Sequence, residues 1–147
     1  MFNKIKNKEG FTLIELIMVT IILGILAAVA VPRYMGTVTN AEAAVEDAII
    51  SSVLAGLETY AIEQMFDNGR KSWPDNPWDG LESVPASYDE DNASNADSDD
   101  EWTFNTTNST ITHQRRDNTR WSWSYDKGTQ TGDDAVVGSI GSRTQIQ

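Results

Sequence analysis

The sequence predicts an α+β fold: a long, kinked N-terminal α-helix whose C-terminal half packs against a small antiparallel β-sheet. Three observations lead there. Residues 11–31, FTLIELIMVTIILGILAAVAV, form an apolar run of 21 residues with one charge, Glu15. Residues 41–66 repeat apolar side chains at helical spacing. Residues 102–125 alternate instead, as in Trp121-Ser122-Trp123-Ser124-Tyr125, where the aromatic side chains share one face.

The apolar run is long enough to span a membrane. At ~1.5 Å per residue, 21 residues cover a hydrocarbon core of roughly 30 Å. A secretory signal peptide has a shorter apolar region, about 7–15 residues, before a small-x-small cleavage site. Ala28 and Ala30 resemble such a site, but the run is long and Pro32-Arg33 follows at once. The charge distribution agrees with a spanning segment. Lys4, Lys6 and Lys8 against Glu9 give residues 1–10 a charge of +2, so a net charge of −11 leaves −13 for the rest. A basic start and an acidic body fit a chain whose start stays cytoplasmic while its body crosses the membrane.

The helical pattern continues beyond Pro32. Val45, Ile49, Val53, Leu57 and Tyr60 recur at three and four, and Ile50, Leu54, Ala61 and Met65 widen the stripe. Two arrangements satisfy this pattern. Either one helix runs from about 11 to 66, bent near Pro32 and Gly36, or Thr39-Asn40-Ala41-Glu42 caps a second helix. Asn68-Gly69 supplies the stop.

Ser72–Gly80, SWPDNPWDG, reads as a connection of turns, with Trp73 and Trp78 covering the amphipathic helix. Ala86–Glu101 holds seven acidic residues in 16 and is expected to be an exposed, mobile loop. Three short antiparallel strands follow, around Trp102–Phe104, Ile111–His113 and Trp121–Tyr125, with turns at 107–109 and 116–118. Residues 127–147 are rich in Gly, Asp and Ser and read as irregular, with only Val136, Val137 and Ile140 able to pack.

A short basic leader ending in Gly10, then Phe11-Thr12-Leu13-Ile14-Glu15 and a helix rich in Ile, Leu and Ala, resembles the type IV pilin family. That family includes the pseudopilins of type II secretion, and the leader is of the class III prepilin kind. The resemblance implies the pilin fold and a domain order. Residues 1–10 would be a cleaved leader, and 11–40 the transmembrane and filament-core half of the helix. Residues 41–147 would be the globular head: helix to about 66, loop 67–101, sheet 102–126 and irregular region 127–147.

It also implies roles. A prepilin peptidase would cut between Gly10 and Phe11, and the new amine of Phe11 would be N-methylated. Glu15 would pair with the Phe11 amine of a neighbouring subunit during assembly, and Gly24 and Pro32 would mark where the helix yields. The implied partners are the chain itself as a helical homopolymer, the peptidase and methyltransferase, the inner-membrane assembly machinery and, before assembly, the membrane. The precursor would sit in the inner membrane and the product in an extracellular type IV pilus-like filament. The alternative is a periplasmic pseudopilus of type II secretion. The absence of cysteine departs from the many pilins that close a C-terminal loop with a disulfide.

Other chemistry finds little support. Without cysteine there is no disulfide, thiolate metal site or cysteine nucleophile. A net charge of −11 is unsuited to nucleic acid, which is held through Lys and Arg surfaces. The only histidine, His113, reads as a strand surface residue, and no catalytic constellation accompanies it, so no enzyme is expected. No cofactor is implied. Calcium is the one candidate ion, with oxygen ligands available at Asp89–Asn92, at Asp97 with Asp99–Glu101, or at Asp133-Asp134. Of three Asn-x-Ser/Thr triplets, the one at Asn92 follows an acidic residue and is the weak glycosylation candidate. Phe11, Tyr34, Tyr60 and Phe66 lie on or beside the helices and read as packing residues.

Overall fold

The computed structural model describes residues 10–129 and 138–147. The leader lysines and Glu9, Asp133-Asp134 and Val136-Val137 lie outside these residues. The chain divides into two compact units, one up to Ala43 and one from Ala44 to Gln147. The fold is the expected α+β combination of one long helix and a small antiparallel sheet.

Helix α1 is continuous from Leu13 to Asn68, with Pro32 inside it. Of the two arrangements open to the sequence, the structure shows the single helix. Thr39 does not cap a new one. Its hydroxyl donates to the carbonyl of Met35 at 3.1 Å, as that of Thr37 does to Arg33. Such back-bonding satisfies a hydroxyl inside a helix without ending it. Pro32 has no N–H to donate one turn back, yet the helix carries on through its neighbours. Within the first unit every described residue up to Ala41 is exposed, including the whole apolar run. The helix ends at Asn68, where Gly69 takes φ 70°, the left-handed stop that glycine adopts without strain.

The second unit has its own core. Val53, Leu57 and Ala61 of α1 pack with Trp73, Trp78, Trp102, Phe104, Ile111, Trp123 and Tyr125. The buried face of α1 is narrower than the predicted stripe, because Val45, Leu54 and Met65 are exposed. One helical face meets one sheet, and residues on its flanks stay in water.

Strands β1 (Trp102–Asn105), β2 (Thr110–Gln114) and β3 (Arg120–Asp126) form an antiparallel meander, with Ile111 opposite Trp123 and His113 between Trp102 and Trp121. Ser109 and Asn118 take positive φ in the two predicted turns. The region expected to be irregular, 127–147, supplies two more strands. Both β4 (Ser139–Ile140) and β5 (Thr144–Ile146) pair antiparallel with β3. Such two- and three-residue strands carry no readable alternation, since the template strand β3 dictates them.

The acidic segment also departs from expectation, being stitched along β1 rather than loose. The Glu101 side chain is buried and accepts from the backbone N–H of Asp97 at 2.6 Å and of Ser98 at 2.9 Å. The N–H of Ala96 donates to Thr112 Oγ1 at 2.8 Å, and Thr103 Oγ1 donates to the carbonyl of Ser94 at 2.7 Å. Burial pushes the Glu101 carboxyl up, but these backbone donors outweigh it and hold the group below its ordinary value.

Between helix and sheet, Pro77–Gly80 forms a 3₁₀ turn capped by the Asn76 side chain. Gly56 lets α1 approach it. A Cβ at Gly56 would stand 2.4 Å from the carbonyl oxygen of Gly80. Gly56→Val is therefore expected to destabilise the head by about 1–3 kcal/mol. Thermal unfolding followed by tryptophan fluorescence reads this as a lower midpoint.

Candidate functional site at the helix N-terminus

Gly10, Phe11 and Thr12 precede the helix in non-helical backbone, and Gly10 and Phe11 are exposed. Thr12 is the N-cap of α1. Its carbonyl accepts the first helical bond, from the N–H of Leu16 at 3.2 Å. Its hydroxyl accepts from the N–H of Glu15 at 3.2 Å. Glu15 reaches back so that Oε2 takes the N–H of Thr12 at 2.8 Å and the Thr12 hydroxyl at 2.7 Å. This is a capping box, in which two residues satisfy each other's orphan groups. The pattern Thr-x-x-Glu stood in the sequence; reading Glu15 only as a charge in an apolar run hid it.

Thr12 thus gives Glu15 a local partner within a lone chain, while Oε1 makes no hydrogen bond among the described residues. The helix N-terminus also favours the negative charge. Helix α1 is long and apolar enough to cross a membrane, with a mean hydropathy of 2.7 over its best window. Gly24 and Pro32 both lie inside it, and a Cβ at Gly24 would meet nothing within 4 Å.

Residues 5–31 match the family described as the prokaryotic N-terminal methylation motif. Among similar proteins is a type II secretion system core protein G of Pseudomonas aeruginosa, 40% identical over 58 residues, which cover 40% of this chain and 41% of that one. A protein of the same name from Aeromonas hydrophila is 35% identical over 85 residues, 58% of this chain and 57% of its own. A type IV major pilin protein PilE1 of Neisseria gonorrhoeae is 42% identical over 69 residues, 47% of this chain and 38% of its own. The methylation motif and these relatives support a type IV pilin or pseudopilin family for the chain. It spans about half the length of the curated relatives it matches. No solved structure matches it.

A second polar constellation lies in the head. Glu46, on the inner face of α1, is fully buried. Arg115 grips it with two bonds, Nε to Oε1 at 2.7 Å and Nη2 to Oε2 at 2.6 Å. His113 Nδ1 lies 2.9 Å from Oε1, and Arg143 Nη1 donates to Oε2 at 3.0 Å. Trp121 roofs the site, with the guanidinium groups of Arg115 and Arg143 4.7 and 5.2 Å from its ring centre. Burial pushes the Glu46 carboxyl up, but Arg115 and His113 outweigh it and bring it down to about 2. His113 is therefore no surface residue, as the sequence suggested. It is buried, stacked on Trp102 at 4.4 Å, and ties β2 to the helix. The two carboxylate oxygens are both occupied, so the cluster is a structural tie.

The remaining candidates are dispersed. Asn92 is half-buried, with Nδ2 donating to Glu101 at 3.2 Å and Oδ1 accepting the N–H of Ser94 at 3.0 Å. Asp89 accepts from the N–H of Asp91, and Asp100 pairs with Arg116. Among the described residues no group of three or more His, Cys, Asp or Glu side chains is placed to hold a metal ion.

Proposed function

We propose that the mature chain, residues 11–147, is the structural subunit of an extracellular type IV pilus-like filament. The observation that carries this is the Glu15 site at the start of an exposed apolar helix. Before assembly, lipid buries the helix and Thr12 satisfies one oxygen of Glu15. After leader cleavage Phe11 gains a positive amine. When lipid is exchanged for sibling helices, Glu15 enters an apolar bundle, where an unpaired carboxylate is costly. A neighbour's Phe11 amine meeting the free Oε1 removes that cost. One axial stagger satisfies every subunit in turn, and such a contact does not close on itself, so it builds a helical filament. In this reading Gly24, where a Cβ would meet nothing within 4 Å among the described residues, allows close packing against sibling helices, and Pro32 weakens the helix where it must adjust.

The partners are further copies, the peptidase and N-methyltransferase, and the inner-membrane assembly machinery. This family supplies structural subunits rather than enzymes. A second reading, a periplasmic pseudopilus of type II secretion, is favoured by the likeness to core protein G. Shearing native cells separates the two. Long sheared filaments made mainly of this protein, starting at a methylated Phe11 by intact-mass spectrometry, are the expected result. Protein that stays in the envelope, starting at Phe11, would establish the pseudopilus instead. A chain starting at Met1 would sink both.

A further inference from the structure

Arg33 is the one charged residue of α1 between Glu15 and Glu42. It stands just past the apolar run, which ends at Val31. The helix is continuous through Pro32, so depth can be counted along one axis. At ~1.5 Å per residue the run covers a hydrocarbon core of roughly 30 Å, and Arg33 lies ~3 Å beyond it. That is inside the polar headgroup layer, which adds about 5–7 Å on each side of the core. The leader lysines Lys4, Lys6 and Lys8 follow the usual bias of cations to the cytoplasmic side. Arg33 is a cation at the opposite boundary.

Its own chain offers this cation no counter-ion. Arg33 is exposed and its guanidinium makes no hydrogen bond or ion pair among the described residues. Only its carbonyl is engaged there by a side chain, the Thr37 hydroxyl at 3.1 Å. The positions one turn away hold Val29, Ala30, Gly36 and Thr37, so no carboxylate stands at ion-pair spacing on the helix. Tyr34, beside it, is 72% exposed. A ring with a polar tip is favoured at headgroup level.

We propose that Arg33 binds the phosphate of an anionic phospholipid in the leaflet opposite the leader, with Tyr34 seated among the same headgroups. Lipid phosphate is the anion available at this depth, and the planar guanidinium fork matches it with two parallel bonds. The aliphatic stem of Arg33 crosses the edge of the hydrocarbon layer while its head stays among the phosphates. The contact fixes how deep the helix sits until assembly draws it out of the membrane. This site rests on the membrane-spanning reading of the precursor given above.

The full-length chain, isotope-labelled at its arginine Cζ atoms, is reconstituted in vesicles of phosphatidylglycerol and phosphatidylcholine. Solid-state NMR then reads the dephasing of Cζ by lipid phosphorus. Every other arginine, from Arg70 onward, belongs to the second unit, so the difference between wild type and Arg33→Gln isolates one group. Dephasing is expected in wild type and lost in Arg33→Gln. The variant should also lose about five-fold of its preference for phosphatidylglycerol over phosphatidylcholine, the effect of one basic side chain at an anionic surface. Native mass spectrometry of the retained lipids reads that preference, and the leader lysines contribute equally to both chains. Wild type that floats with the vesicles yet shows no dephasing, or dephasing that survives in Arg33→Gln, would overturn the site and leave the spanning reading standing. Dephasing abolished by excess inorganic phosphate would show a site for the free anion and refute the lipid. Wild type that does not float with the vesicles would remove the spanning reading and this site with it.

Discussion

Glu15→Ala is expected to leave the head folded and the Gly10–Phe11 bond cleaved, and to reduce filament yield by roughly a hundredfold or more. The size follows from the cost of leaving a charge unpaired in an apolar bundle, about 3–5 kcal/mol when one partner of a buried pair is removed. Here the Phe11 amine would be the group left behind. The capping box offers a competing explanation, because Glu15 also closes the first turn of α1. Loss of a cap costs about 1 kcal/mol, and Thr12→Ala removes the same cap without removing the carboxylate. If Glu15 acts between subunits, Thr12→Ala should keep most of the filament that Glu15→Ala loses. Equal losses in the two variants would reduce Glu15 to a capping residue. Intact mass confirms processing in each variant, and electron microscopy of sheared material counts the filaments.

What the sequence disclosed and what it hid divide by range. The leader, the spanning run and Glu15 are readable because their signals sit within a few residues of one another. The capping box was equally local, since Thr12 and Glu15 are three apart, and was obscured only by the membrane reading of the same glutamate. The acidic segment misled because counting carboxylates predicts solvation. Asn, Asp, Ser and Thr also bond to nearby backbone, and Glu101 spends its carboxylate on Asp97 and Ser98. The Glu46 site was invisible for a different reason. Its partners lie 67, 69 and 97 residues away in the chain. Glu46 occupies a core position of the helix, where periodicity promises an apolar side chain, and only the register of β2 and the placing of β5 bring its donors to it.

That site carries the second large effect. Glu46→Gln should destabilise the head by about 3–5 kcal/mol, because Arg115 keeps its buried charge and loses its counter-ion. Arg115→Met should cost a similar amount by stranding Glu46. The double change Glu46→Met with Arg115→Met should cost clearly less than the two single losses added, since no buried charge is then left alone. Urea unfolding of the detergent-solubilised chain, followed by tryptophan fluorescence, gives all three values; simple additivity would mean that the groups do not act as a pair. Acid tests the same carboxylate without mutation. Its folded value, about 2, lies below the ordinary carboxylate value, so its contribution is complete above that ordinary value and fades as pH falls toward the folded one. Between those limits the wild-type head should lose on the order of 3 kcal/mol from this group. The Glu46→Met, Arg115→Met chain lacks the titrating group and should show a correspondingly flatter stability curve from pH ~5 down to ~2. A wild-type curve no steeper than that of the double variant would show that Glu46 is not held ionised by Arg115 and His113.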